Sequence, residues 1–469
     1  MLFLSVSFYA YFPTRCADYF VSGNAFVFDY SKWGPRSLCI VALTLLSLYN
    51  IFLTAKLMYG QECLKSVQVR QTKVVQAVRP PPPPPICRIE QQVTADEFQG
   101  NIELELGRWD NRMLYKLYDR IFVGDKYAQL SEEHLVCLAT QSSLERLFSL
   151  VQVTRNWSGP ISAALFAAGD DEFNLLLSYI AYIRRCFPDI RERVTFHLTL
   201  PKSRLPKGID IDTDVISGWN CMNAENILRA LVAKRTVATQ KWRTKNPYPQ
   251  NHLRNLARKN CQSQYVFLTD VDIIPSEGLA EALNYFLKKV RCKKLCAYVI
   301  PTYEIDNRVR FPPNKTELVR LAKKGLARPF HQKVFIYNQF ATNFSRWQVT
   351  TGEDKEAHVS HPVTNFEFLY EPFYVAPDSV PPHDERFIGY GYTRNTQVYE
   401  MFVAGYEFLV LSPVFTCHWG LQDKRGRPVW REYQNNLHRK YFETFKKEVF
   451  AKYNKDPLRM MEQRKAQSL

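Results

Sequence analysis

The chain has 469 residues, with 62 Lys and Arg against 46 Asp and Glu, a formal charge of +16. Its 46% hydrophobic and 14% aromatic content can fill a large core and excludes a wholly disordered chain, while 18 Gly against 27 Pro excludes a collagen-like or Gly-rich repeat. The basic excess suits anionic partners, but the cations are scattered in pairs such as Lys293-Lys294, Lys323-Lys324 and Lys446-Lys447. No zinc-finger, helix-turn-helix or RNA-binding signature accompanies them, so no nucleic-acid partner is expected.

Leu38 to Ala55 is an uncharged 18-residue run. At about 1.5 Å per residue it reaches roughly 27 Å, enough for a thin bilayer. The expected organisation is a cytosolic tail over 1–37, a transmembrane signal anchor over 38–58, a stem over 59–106 and a lumenal body over 107–469. Flanking charge leans the other way, since Lys32 and Arg36 precede the run while Lys56, Lys65, Arg70 and Lys73 follow it. Two features favour a lumenal body. The N-x-S/T sequons at Asn156, Asn314 and Asn343 all lie downstream of the run, as do nine of the eleven cysteines. Nine is odd, so at least one thiol stays free or pairs with another chain. Cys292 and Cys296, four apart, are placed to share a helix face, and no pairing is fixed. No C-x-x-C pair suggests a zinc site. Within the stem, Pro80 to Pro85 are six consecutive prolines that read as a stiff polyproline spacer.

Beyond residue 107 strand-like and helix-like stretches alternate. Leu135–Thr140, Ile161–Ala168, Val194–Leu200 and Tyr265–Thr269 read as strands. Glu172–Cys186, Asn223–Thr236 and His252–Cys261 read as helices, the first through Phe173, Leu176, Leu177, Ile180 and Ile183. The alternation predicts parallel βαβ units, hence an α/β sheet covered on both faces. Ligands of such sheets bind beyond the carboxyl ends of strands. Tyr265–Thr269 is followed by Asp270-Val271-Asp272, then a Pro275-Ser276 turn and an apolar helix from Leu279. Two carboxylates one residue apart at a strand end suit a hard divalent ion, Mn²⁺ or Mg²⁺, which neutralises the diphosphate of a nucleotide-sugar. The alternative for so short a motif is a solvated turn or a helix cap. There is no Walker A loop and no G-x-G-x-x-G after the first strand, which removes the leading signals for an ATPase or a dinucleotide oxidoreductase.

Several segments together resemble glycosyltransferase family 49, whose members include glucuronyltransferases that extend the O-mannosyl glycan of dystroglycan. They are Leu138–Leu147 (LATQSSLERL), Trp157–Ser162, Tyr248–Ala257 (YPQNHLRNLA), Phe267–Asp272 (FLTDVD), Tyr370–Tyr374 (YEPFY), Asp384–Phe387 (DERF) and Ala404–Tyr406. The resemblance spans about residues 135 to 450. It implies a GT-A fold, a single-pass type II Golgi membrane topology, a UDP-sugar donor, Mn²⁺ and a glycan or glycoprotein acceptor, with room for a homodimer or a partner glycosyltransferase. By that resemblance Asp270 and Asp272 hold metal and nucleotide-sugar, His418 completes the metal shell, and Thr140, Gln141, Asn251 and Arg254 meet the donor. Asn251 and Arg254 should share a helix face with Asn255. An inverting transferase also needs a carboxylate to deprotonate the acceptor hydroxyl. Asp384 and Glu385 are the candidates, beside glycines that allow a tight loop; the alternative is that either pairs with Arg386 or Arg394. The chain departs from the family at Trp419-Gly420-Leu421, where its glucuronyltransferases carry a basic residue before the glycine. UDP-glucuronate is the expected donor, with UDP-N-acetylglucosamine or UDP-xylose as rivals. A catalytically silent glycan-binding protein is the rival of another class.

Overall fold

The structure is a computed structural model that describes residues 102–292, 294–349, 356–423 and 429–461, together with Ser47, Tyr49 and Asn50. The expected tail, almost all of the anchor and nearly the whole stem lie outside the described residues. Among the described residues no helix is long and apolar enough to cross a membrane.

The body is a mixed α/β fold. Its strands are β1 (Arg108–Trp109), β2 (Tyr115–Phe122), β3 (Val136–Ser143), β4 (Ile161–Phe166), β5 (Val194–Pro201), β6 (Tyr265–Leu268) and β7 (Ile273–Pro275). They continue with β8 (Leu295–Ile300), β9 (Thr302–Ile305), β10 (Ala327–Pro329), β11 (His358–Pro362), β12 (Phe373–Pro377), β13 (Tyr406–Ser412) and β14 (Thr416–Trp419). Ten of them form one sheet in the order β1-β2-β5-β4-β3-β6-β12-β8-β13-β11, and four form a second in the order β10-β9-β14-β7. β5, β4, β3 and β6 are mutually parallel. Their residues are buried on both faces, as continuous apolar runs require.

The helices that matter for the site are α1 (Gly169–Cys186), α2 (Ala224–Ala233), α3 (Val237–Lys245), α4 (Gln250–Lys259), α5 (Leu279–Lys289), α6 (Asn395–Ala404) and α7 (Val429–Tyr453). α1 follows the sequence periodicity: Phe173, Leu176, Leu177, Ile180 and Ile183 are all buried. Its first turn is acidic and its last turn basic, in the sense the helix dipole favours. Glu172 Oε2 accepts the backbone N–H of Ala168 at 2.7 Å and caps the helix start. Its other oxygen pairs with Arg235 and Arg243, both at 2.7 Å, tying α3 and the turn before it to α1.

The run of parallel strands is interrupted in one place that shapes the site. β12 inserts antiparallel between β6 and β8, with Tyr374 opposite Leu268 and opposite Val299. Pro275 of the expected Pro-Ser turn instead ends β7, a three-residue strand of the second sheet. β7 pairs with β14 so that Ile273 lies opposite His418.

Three disulfides occur among the described residues: Cys137–Cys261, Cys186–Cys221 and Cys292–Cys296. Cys292 and Cys296 share no helix; α5 ends at Lys289 and Cys296 is already in β8, so the bridge closes the connecting turn. Cys417 is a free, buried thiol. Cys63 and Cys87 lie outside the described residues.

Candidate active site

The site forms where the parallel core changes direction. From β3 the chain continues to β4 on one side, while β6 lies on the other, so a crevice opens at the carboxyl ends of β3 and β6. Thr140 and Gln141 stand at the end of β3. Beyond β6, Thr269 N donates to Ala139 O at 2.9 Å, which carries the pairing up to Asp270. Ile273 N then closes on Asp270 O at 3.0 Å and folds the Asp-Val-Asp segment into a tight loop.

Three donors converge on Asp270 Oδ1: Arg394 Nη2 at 3.0 Å, Gln141 Nε2 at 3.1 Å and Arg254 Nη2 at 3.2 Å. Burial alone would raise this carboxyl's pKa, but the Arg394 and Arg254 guanidinium groups outweigh it and hold the group ionised far below the usual carboxylate range. Arg254 comes from α4, whose interior residues from Asn251 to Arg258 are all buried. Leu253, Leu256 and Ala257 pack on the sheet. The polar side chains of α4 line the crevice: Arg254 Nη1 donates to Asn251 Oδ1 at 3.2 Å and to Thr393 Oγ1 at 3.3 Å. A solvated arginine is therefore excluded; Arg254 is 5% exposed. Asn251 Nδ2 donates to the Asp384 carbonyl at 2.8 Å, and Asn255 exchanges hydrogen bonds with the backbone of His383. The two asparagines hold the 383–386 loop against α4. Gln141 Oε1 also accepts from the Tyr248 hydroxyl, and the Tyr248 ring packs edge-on against Phe166. Thr140 is buried and its hydroxyl has no partner among the described residues.

Asp272 points to the second sheet. Its Oδ2 lies 3.6 Å from His418 Nε2 and pairs with Arg146. Burial again acts to raise the pKa and is overcome, here by His418 and Arg146, so Asp272 is held below its ordinary range. Ligands on one ion at bonds of about 2.1 Å sit about 3.0–3.4 Å apart, so the Asp272–His418 spacing fits a shared cation with little adjustment. Asp272 and His418 supply a carboxylate and an imidazole, donors that suit Mn²⁺ or a related ion, whereas Asp270 Oδ1 is held by Gln141, Arg254 and Arg394.

The two carboxylates of the 383–386 loop face other partners. Asp384 is gripped by Arg386, with Nε 2.9 Å from Oδ2 and Nη2 2.6 Å from it. Glu385 Oε1 accepts from Asn255 at 2.9 Å, and its Oε2 lies 3.6 Å from His252 Nε2. Asp110 Oδ2 is 3.4 Å from the same imidazole nitrogen. These three ligand atoms lie within 4.8 Å of one another, a set able to hold a small divalent cation. Asp110 is also fixed by the backbone amides of Arg112, Leu114 and Tyr115.

The sequence reading did not assign Arg146, Tyr248 or Arg394 to the site. Two of them stand inside segments that carry the family resemblance, LERL and YPQNH. Position within those segments was a usable signal. Arg394 lies outside them and is brought in by the start of α6, stacked 4.3 Å above the Phe373 ring.

A family model described as glycosyl-transferase for dystroglycan matches residues 135–454, more than half of the chain. The chain belongs to this family of glycosyltransferases. It is 35% identical over 328 residues to human beta-1,4-glucuronyltransferase 1, covering 69% of this chain and 77% of that one. To the zebrafish (Danio rerio) protein of the same name it is 30% identical over 361 residues, covering 75% and 83%. Human xylosyl- and glucuronyltransferase LARGE1 is 26% identical over 301 residues, 63% of this chain and 32% of that larger protein. Among solved structures, residues 1–349 of S. aureus TarS overlay with a TM-score of 0.29 at 9% identity, covering 61% of this chain and 60% of that one, a likeness too loose to argue from. The protein is therefore a transferase that takes a sugar from a nucleotide-sugar donor and passes it to a glycan acceptor.

Proposed function

We propose that the chain is a GT-A-type, metal-dependent, inverting transferase that moves glucuronate from UDP-glucuronate onto a glycan of the protein O-mannosyl class. The observation that carries this is the pairing of Asp272 with His418 at the mouth of a crevice whose other wall is Asp270 with two arginines. Asp270, Asp272 and His418 would hold Mn²⁺ or Mg²⁺, which when bound offsets the charge of a diphosphate leaving group. Arg254 and Arg394, buried and held by Asp270, present preorganised cations toward arriving phosphate oxygens. Thr140 stands where ribose or uracil would lie, which its unpartnered hydroxyl supports, whereas Asn251 is fully buried and spends its amide on the Asp384 carbonyl and Arg254. Glucuronate as the sugar is supported by the relatives above, which are named as glucuronyltransferases.

The purified full chain with Mn²⁺ and a panel of UDP-sugars and simple glycan acceptors should release UDP with UDP-glucuronate, and faster with acceptor. A chelator or Asp272→Ala should lower release by about 100-fold. Release with a different sugar alone overturns the donor and leaves the transferase standing.

A lumenal Golgi body anchored by residues 38–58 belongs to the same reading. Three disulfides support an oxidising compartment. Asn314 and Asn343 are exposed, whereas Asn156 is half-buried and its amide donates to the Pro275 carbonyl at 2.8 Å. Deglycosylation of protein from a secretory host should therefore shift the mass by two glycans, and Asn314→Gln and Asn343→Gln should each remove one. No shift at all overturns the lumenal assignment.

A further inference from the structure

The crevice needs a carboxylate free to face the acceptor, and the 383–386 loop does not supply one. Asp384 is neutralised by the Arg386 fork, and Glu385 is turned to Asn255 and His252. A third carboxylate reaches the site through the sheet. Because β12 runs antiparallel to β6 with Tyr374 opposite Leu268, residues just before β12 lie beside those just after β6. Continuing that register sets Glu371 next to the Asp270–Asp272 loop. The backbone fixes Glu371 there: its N–H donates to Asn338 O at 2.8 Å, and its carbonyl accepts from Gln339 Nε2 at 2.7 Å. The carboxylate is oriented by Asn338 Nδ2, 2.9 Å from Oε2.

Glu371 faces a cavity of about 290 Å³. Phe335, Tyr390 and Tyr392 line it, with His331, Asn338 and Asn435 among the polar groups. Aromatic surface interrupted by a few amide and imidazole groups is the chemistry of a sugar-ring site. The cavity is joined to the donor side by Thr393, which lines it and also accepts from Arg254. Burial raises the pKa of Glu371 above the ordinary glutamate value, although Arg394 and Arg254 act to lower it.

Resting on the transferase reading above, we propose that Glu371 is the general base of the reaction and that the adjoining cavity seats the acceptor sugar. The acceptor O–H proton passes to the Glu371 carboxylate as the acceptor oxygen bonds to the anomeric carbon. The bond from that carbon to the β-phosphate oxygen breaks, its electron pair leaves with UDP, and the proton then passes from Glu371 to solvent.

The test compares wild type, Glu371→Gln, Glu371→Asp and Asp384→Asn in the full chain, by UDP binding calorimetry and by UDP release. Donor hydrolysis is included because water there takes the acceptor's place and no acceptor need be known. Glu371→Gln should lower kcat for transfer and hydrolysis by about 100-fold with UDP affinity within about twofold. Glu371→Asp should recover part of that loss. If Glu371→Gln keeps more than a tenth of wild-type kcat, or loses UDP binding instead, the assignment is wrong. A large loss confined to Asp384→Asn moves the base to Asp384. A folded wild type that neither binds UDP nor hydrolyses any donor overturns the transferase reading and this inference together.

Discussion

Asp270→Asn is expected to lower transfer about 1,000-fold and to destabilise the metal-free protein by about 2–3 kcal/mol. Both effects follow from one oxygen. Asp270 Oδ1 neutralises Arg254 and Arg394, which are only 5% and 4% exposed. An amide keeps the shape but leaves two buried guanidinium groups near each other without their hydrogen-bonded counter-charge, and removing one partner of a buried ion pair is the costly direction. The magnitude sits at the low end because Asp270 itself keeps some exposure. Adding Arg394→Met to Asp270→Asn should restore part of the stability by removing one orphaned cation, and should restore no activity. The pH dependence has a definite sign. The native pKa of Asp270 is depressed below its unfolded value, so its contribution is fully present above about pH 4. It is lost as pH falls through the depressed native value. Urea midpoints in chelator should therefore separate wild type from Asp270→Asn at neutral pH and converge in strong acid. Equal midpoints at pH 7 would mean that the arginines find other partners and that Asp270 does not organise the crevice.

How far the sequence reaches differs from residue to residue. Asp270 was legible because a strand buried on both faces must be apolar, and the first carboxylate after YVFL marks where that strand leaves the core. Arg254 was legible as a helix position, since its spacing from Asn251 and Asn255 puts all three on one face. The meeting of His418 with Asp272 was legible only through family resemblance. It depends on β7, three residues long and ending in proline, pairing with β14 some 140 residues later. No periodicity can be read from three residues. Neither Asp384 nor Glu371 could be placed from the sequence alone. Asp384 looked available because a D-E-R-F string does not reveal which carboxylate the arginine will grip. Glu371 drew no reading because the antiparallel insertion of β12 is invisible to hydrophobic patterning; a buried strand reads the same in either direction.

The largest stability effect is expected from the bridge behind this site. Cys137 lies in β3 three residues before Thr140, and Cys261 lies just past the end of α4, which carries Arg254. The bridge closes a loop of 124 residues, against 35 for Cys186–Cys221 and 4 for Cys292–Cys296. If disulfides act mainly by restricting the unfolded chain, replacing each pair by Ala should cost about 4.9, about 3.8 and about 1.9 kcal/mol respectively. The order is the sharper prediction, and guanidinium unfolding of the three double variants measures it. The native state supplies a second readout. β3 and α4 stay joined by sheet and core contacts without the sulfurs, because Ala139, Leu253, Leu256 and Ala257 form one buried cluster. The Cys137→Ala/Cys261→Ala variant should therefore bind UDP with near-wild-type affinity at low temperature while unfolding first on heating. Weakened UDP binding in that variant, well below its unfolding transition, would show that the bridge sets the spacing of Gln141 and Arg254 around Asp270. Equal costs for the long and short loops would place its effect in native packing rather than in the entropy of the unfolded chain.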